Sequence, residues 1–136
     1  MAFVAGKNSV FKLDNSGGSI TDLSSYITDV SVDFGDDTAE TTAYGDTSKE
    51  YILTLADGSL SVTALFDATL LAHLGAVRGS SSTLSYEFYP DGTTSGKPKI
   101  NGECILTSMS PGSSVGGTAT LNFALQCSGA QTIGTA

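Results

Sequence analysis

The feature that most constrains the fold is a long alternation of apolar and polar residues in the last quarter of the chain. Apolar residues occupy every second position from Ala119 to Cys127, with polar residues such as Asn122 and Gln126 between them. Because successive side chains of a strand point to opposite faces, this pattern predicts a β-strand with one buried and one wet face. Shorter runs of the same kind recur between turns rich in the sixteen glycines. We therefore predict a mainly β protein, an antiparallel sandwich or barrel of seven to eight strands, folded as a single domain over residues 1–136.

One segment has a helical period instead. Asp67 is a favoured N-cap residue, and Leu70, Leu74 and Val77 after it fall on one stripe of a helix. The sequence therefore predicts one short α-helix over about residues 67–78, packed against the sheet by this stripe.

A tight hairpin is predicted at Asp57-Gly58. Tyr51, Leu53 and Leu55 alternate with other residues before this pair, and a second alternating run follows it. Asp-Gly between two such runs is a strong signal for a two-residue turn. Tyr51 is expected to begin a strand and to pack inward.

An acidic segment without core-forming residues precedes this hairpin. Between Asp29 and Tyr51 the chain has seven carboxylates and one lysine, so the segment carries six of the eight net negative charges. Asp29 and Asp33 fall on the wet face of a predicted strand, and residues 35–50 are predicted to form a long acidic loop. A small domain rarely keeps so long an excursion unless a partner uses it, so we expect a partner surface and not a catalytic pocket.

The residues for catalysis are sparse. His73 is the only histidine, so no second histidine is available to build a catalytic relay with a serine. The Gly-x-Ser-x-Gly motif that places a nucleophilic serine on a sharp turn is also absent. Asp33, Asp36 and Asp37 leave a calcium-binding loop open as an alternative, although the spacing of an EF-hand is absent. An acidic chain without a basic stripe has no counterion-release route to nucleic-acid affinity. We expect no enzyme, no cofactor and no metal site.

Cys104 and Cys127 are the only cysteines. Their wide spacing fits neither a zinc site nor a disulfide framework, and both lie in apolar strand-like runs, so buried thiols are expected. No apolar run is long enough for a signal peptide or a membrane span. The protein is therefore expected to begin in the cytoplasm and to have no membrane partner.

Several segments together resemble the major tail tube proteins of long-tailed, siphovirus-type bacteriophages. They are TTAYGDTSKEYI, then SLSVTALFD followed directly by the helix, then EFYPDGTTSGKPKINGECILTSM. The resemblance runs in order from about Gly6 to Ile133 and depends on order, spacing and loop content.

The resemblance implies a structural virion protein that assembles in the host cytoplasm into six-membered rings. The rings stack into a hollow tail tube through which DNA passes without specific binding. The implied partners are other copies of the chain, the tape measure protein and the tail terminator. It also implies that Asp29 and Asp33 line the channel wall, and that the acidic loop reaches the adjacent ring through Asp36, Asp37, Glu40, Tyr44, Asp46, Lys49 and Glu50.

Two alternatives remain open at this point. The chain resembles scaffolds used for head-tail joining, tail termination and the tube of contractile injection systems. Independently, a β-sandwich with exposed tyrosines and acidic loops is also suited to a binding module for a carbohydrate or for calcium.

Overall fold

The computed structural model describes residues 3–80 and 82–136. In chain order the strands and the helix are β1 Val10–Asp14, β2 Ile20–Asp22, β3 Ile27–Glu40, β4 Tyr51–Leu65, α1 Ala68–Val77, β5 Leu84–Tyr89, β6 Pro98–Gly112 and β7 Thr120–Thr135. The seven strands form one antiparallel sheet in the order β2-β1-β5-β6-β7-β4-β3. The prediction of a mainly β fold with a single short helix is confirmed, although the sheet is not closed in the described residues.

One face of the sheet and the helix share a hydrophobic core. Every second residue of β7 from Leu121 to Cys127 is buried, as the alternation predicts, and so are the core-facing residues of β1, β4 and β5. The Asp67 carboxylate accepts a hydrogen bond from the Thr69 amide at 2.8 Å and caps the helix. Leu70, Leu74 and Val77 of the helix join this core. The predicted cap and stripe are therefore confirmed.

The predicted hairpin at Asp57-Gly58 is wrong, because both residues lie inside the continuous strand β4. A Cβ at Gly58 would lie 3.2 Å from the Asp33 carbonyl oxygen and 3.3 Å from the Cys127 sulfur. Glycine at this position thus allows two neighbouring strands to approach closely, which is a different use of the residue from a turn.

The true hairpin is formed by β3 and β4, and its turn covers residues 41–50. The predicted acidic loop at 35–50 is therefore too long, since residues 35–40 belong to β3. Backbone and side-chain hydrogen bonds shape the turn: Thr41 donates to Glu50 at 2.8 Å, and the Ala43 amide donates to the Asp46 carboxylate at 2.7 Å. The sequence did not predict the short strand β2.

Candidate assembly surface

The β3–β4 hairpin separates from the rest of the sheet at its turn end. The last described pair between β4 and β7 is Ser59 with Gln126, whereas β4 continues to Tyr51 paired only with β3. We call residues 36–56 the ribbon. Seven strand residues beyond Gly58 correspond to a length of about 20 Å. Every residue of the ribbon is exposed. The two strands of this segment therefore have no other part of the subunit packed against them.

All seven residues predicted to contact the adjacent ring lie on the ribbon. Three are on β3, and four are in the turn or at its end; in order they are Asp36, Asp37, Glu40, Tyr44, Asp46, Lys49 and Glu50. The Tyr44 ring is fully exposed. Asp46 has a local structural role as well, because it accepts the Ala43 amide inside the turn. Lys49 has no salt bridge within residues 3–80 and 82–136.

The sequence interpretation missed an apolar surface on the same ribbon. Tyr51, Ile52, Leu53 and Leu55 are all more than half exposed, so the prediction that Tyr51 packs inward is wrong. Tyr51 and Leu53 pair with alternate residues of β3 and share one face, while Ile52 points to the other. The signal was present in the sequence, since apolar residues stand on both faces of this strand. A two-stranded ribbon with two apolar faces requires outside contacts to be stable.

The edges of β3 and β6 are among the strand edges that stay unpaired in the described part of the chain. β3 pairs with β4 alone, so its other edge is open from Ile27 to Glu40. β6 pairs with β5 only as far as Cys104, so its edge from Ile105 to Gly112 is also open. Open edges present unpaired amides and carbonyls that another chain can use.

The surface opposite the core is mainly polar between these edges. The residues lie in rows across four strands: Asp33, Ser59, Gln126 and Ile105 form one row, and Asp29, Thr63, Asn122 and Ser110 form another. The two aspartates predicted for the channel wall are exposed on this face. It is the only strongly hydrated face that the four long strands share, because their other face is the core.

A cluster of charged side chains lies elsewhere, around Tyr89. Lys12 and Lys99 lie with their ammonium groups 5.4 and 5.7 Å from the centre of the Tyr89 ring, and Glu87 is 3.3 Å from Lys99. Burial alone would raise the pKa of Glu87, but hydrogen bonds from Tyr89 and Lys99 and the charges of Lys99 and Lys12 outweigh it and lower this pKa. Burial first, and then the Glu87 hydrogen bond and charge, raise the pKa of Tyr89 to about 12. These shifts keep the Glu87 carboxylate ionised and the Tyr89 hydroxyl protonated at neutral pH, as expected for a structural cluster.

His73 has a structural contact and no acidic partner among the described residues. Its Nε2 lies 3.0 Å from the backbone oxygen of Asp14, to which a protonated Nε2 donates. Within residues 3–80 and 82–136 no group of three or more His, Cys, Asp or Glu side chains is arranged to hold a metal ion. Over the same residues, no helix has the length and apolar character needed to cross a membrane.

Comparison with solved structures finds the same fold in chains of tail-containing particles. A chain in the virion of a native gene transfer agent particle superposes with a TM-score of 0.78 at 18% identity, covering 97% of this chain and 99% of that chain. A chain in the tail of the empty gene transfer agent particle, which has C6 symmetry, gives 0.75 at 16% identity with the same coverage. The SPP1 tail tube gives 0.76 at 13% identity, covering 98% of this chain and 80% of that chain.

A contractile machine also contains this fold. A chain in the sheath-tube complex of an extracellular contractile injection system gives a TM-score of 0.71 at 10% identity, covering 98% of this chain and 93% of that chain. No protein-family model and no curated protein matches the sequence. At these identities the comparisons establish a shared fold, and the predicted resemblance to tail tube proteins is confirmed at that level.

Proposed function

We propose that this chain is the subunit of a hollow, phage-type tail tube, built from stacked six-membered rings, through which DNA passes. The observation that carries the proposal is the unsupported ribbon, on a sheet in which β3 and β6 also have open edges. A folded subunit with these features is incomplete without further copies of itself. The fold likeness to chains of the SPP1 tail tube and of a C6-symmetric tail supports the same conclusion.

Ring closure follows from the order of the four long strands, β6-β7-β4-β3. Neighbouring strands in this block are antiparallel, so β6 at one side and β3 at the other run in opposite directions. The open β6 edge of one copy therefore meets the open β3 edge of the next as an antiparallel pair. This pairing repeats without a change of direction around a closed ring, and it removes both edges.

Stacking uses the ribbon. It separates from β7 and carries apolar residues on both faces, so contact with the adjacent ring buries Tyr51, Ile52, Leu53 and Leu55 from water. At roughly 25 cal/mol per Å² of apolar area, this burial is the principal stabilising term. The seven acidic, tyrosine and lysine positions of the ribbon surround the apolar residues, where charges set register and suppress wrong docking more than they add affinity.

The hydrated face of the four-strand block then lines the channel. Polar side chains predominate on this wall, and Asp29 and Asp33 of six copies place rings of carboxylates along it. A negative wall repels the phosphates of DNA, so the polymer moves through without adsorbing. We include the tape measure protein and the tail terminator as proposed partners, since a tube of defined length requires something to fill it and something to end it.

The ribbon is the part to remove in a test. Thr38 and Leu53 are a directly opposed pair of β3 and β4, so replacing residues 39–52 by Asn-Gly closes the hairpin with a two-residue turn. We expect this variant to keep its circular dichroism spectrum and its melting temperature (Tm), because the removed residues do not touch the core. We expect it to form no tubes by negative-stain electron microscopy at concentrations where the natural chain does.

Long tubes from the shortened variant would contradict the role of the ribbon in stacking. A natural chain that stays monomeric at every concentration tested would contradict the proposed function itself. The tube of a contractile injection system remains the second candidate, because the fold is shared with a chain of such a sheath-tube complex. A sheath protein encoded beside this chain would favour that candidate, and its absence would favour a non-contractile tail.

A further inference from the structure

The two cysteines are far apart in sequence but directly opposed in the sheet. Cys104 of β6 and Cys127 of β7 are register partners, and both are free, buried thiols. Cys104 is 0% exposed and Cys127 is 8% exposed. Burial of the thiols confirms the sequence expectation, whereas their pairing was not predicted, because it depends on the register between two strands.

Directly opposed residues in an antiparallel pair point to the same face of the sheet. Their Cα atoms lie about 4.5 or about 5.5 Å apart, depending on the hydrogen-bonding position. Both distances fall in the range of about 4.4–6.8 Å that disulfide-bonded cysteines have. The backbone therefore already holds the two residues at a separation that a disulfide can bridge.

Neither sulfur is held strongly in its present position. The Cys104 thiol points toward the Leu84 carbonyl oxygen at 3.4 Å, and the Cys127 thiol toward the Tyr86 hydroxyl at 3.9 Å. A thiol is a weak donor, so turning either side chain toward the other gives up only a weak hydrogen bond.

The ladder beside Cys127 is also interrupted. Three residues of β7, numbers 129–131, stand opposite the single residue Gly102 of β6, and Gly129 has a φ of 81°. This bulge starts two residues after Cys127. Bulged residues are left unpaired, so fewer ladder hydrogen bonds hold this end of β7 in place.

We propose that Cys104 and Cys127 form an intramolecular disulfide that links β6 to β7 when the folded protein meets a peroxide-type oxidant. Cys127 reacts first, since it is the more accessible thiol. Hydrogen peroxide transfers one oxygen to the Cys127 sulfur, giving a sulfenic acid and water. The Cys104 sulfur then attacks the Cys127 sulfur, the S–S bond forms, and the hydroxyl leaves with the Cys104 proton as a second water. In sum, two thiols are oxidised, and one peroxide is reduced to two waters.

The reaction is slow while the core is closed. Burial, together with the neighbouring charges, raises the pKa of Cys104 to about 12, and burial raises the pKa of Cys127 despite the hydrogen bond with Tyr86. Since the thiolate is the reactive form, few molecules are reactive at neutral pH. The rate should therefore rise with pH and with the frequency at which the bulged end of β7 opens.

The setting of the reaction depends on the proposed function. A tail subunit is made in a reducing cytoplasm and then leaves the cell in a particle, where thiols oxidise. The chemistry of the isolated subunit does not depend on this, so a failure of tube assembly would leave the disulfide proposal intact.

The test is mass spectrometry of the folded, unassembled chain after treatment with hydrogen peroxide. Samples are denatured, alkylated without reduction and digested. We expect loss of two hydrogens from the intact mass, loss of alkylation at both cysteines, and a cross-linked peptide pair that reductant separates. In Cys104→Ser the sulfenic acid has no resolving thiol, so Cys127 should be labelled by dimedone. In Cys127→Ser, Cys104 should stay reduced.

The same treatment in concentrated urea controls for oxidation of unfolded chains. A cross-link that forms only in urea would overturn the proposal, because the folded register would then have no part in it. Two fully alkylated cysteines after treatment of the folded chain would overturn it as well, and so would cross-links that join different chains. A dimedone adduct on Cys104 in place of Cys127 would overturn the order of the two steps.

Discussion

At some positions of this fold, the residue type depends on how closely other strands and side chains approach. Gly102 is an example, because a Cβ there would lie 2.8 Å from the Cδ atom of Gln131. The Gln131 side chain crosses over this glycine and accepts a hydrogen bond from the buried Tyr86 hydroxyl. Because Gly102 has no side chain, Gln131 has room to reach the Tyr86 hydroxyl and to satisfy this polar group in the core.

We expect Gly102→Ala to lower the free energy of unfolding by about 1–3 kcal/mol, the cost of a buried hydroxyl that loses its partner. The methyl group displaces Gln131, and Tyr86 is left without an acceptor. Gly134→Ala is the matched control, since Gly134 lies in the same sheet with nothing within 4 Å of the added Cβ. Urea unfolding of the three proteins measures the difference. Equal stabilities for Gly102→Ala and Gly134→Ala would show that the position of Gln131 does not contribute to the free energy of unfolding.

At the scale of elements, β4 combines two environments in one strand. From Gly58 to Ala64 its alternate residues are in the core, and from Tyr51 to Ala56 all residues are exposed. The β-bulge between Asp36 and Thr38 of β3 lies inside the exposed half, close to this change. One half of the strand stabilises the subunit, and the other half is available to a partner.

Leu53→Ser separates these two roles. The Leu53 side chain is 72% exposed and lies outside the core, so we expect an unchanged Tm. If stacking buries this leucine, the critical concentration for tube growth should rise about tenfold or more, as for a central apolar contact. Ile20→Ser is the control, since Ile20 is an exposed apolar residue on β2, away from the ribbon. Sedimentation at a series of concentrations gives both values, and an equal effect of the two substitutions would argue against a special role of the ribbon.

At the scale of the whole molecule, assembly must bring together subunits that repel one another. Each carries a net charge of −8. The two salt bridges within residues 3–80 and 82–136, Lys97–Asp91 and Lys99–Glu87, lie outside the ribbon. Apolar burial and strand pairing therefore have to overcome like-charge repulsion.

We expect salt to promote assembly. Raising the ionic strength from about 0.05 M to about 0.5 M shortens the screening length and weakens the repulsion between subunits. It leaves apolar contacts intact, so the critical concentration for tube growth should fall. Analytical ultracentrifugation across this range provides the measurement. A critical concentration that rises with salt would instead indicate that ion pairs, such as one made by Lys49, dominate the contact between rings.

The sequence by itself determined the local features of this protein. The alternation from Ala119 to Cys127 specifies which side chains of β7 are buried, and the Asp67 cap with its apolar stripe specifies the helix. These patterns work because side-chain direction repeats every two residues in a strand and every 3.6 in a helix, whatever the partner. The acidic excursion likewise identified the segment that lacks a core.

Only the tertiary structure decided the rest, because strand pairing is non-local. Asp57-Gly58 has the local chemistry of a turn, yet the approach of Asp33 and Cys127 makes it part of a strand. Which edges remain open, where β4 leaves β7, and that Cys104 faces Cys127 all follow from register between strands that are distant in sequence. Register arises when the apolar faces of all the strands are buried together, and no single segment contains that information.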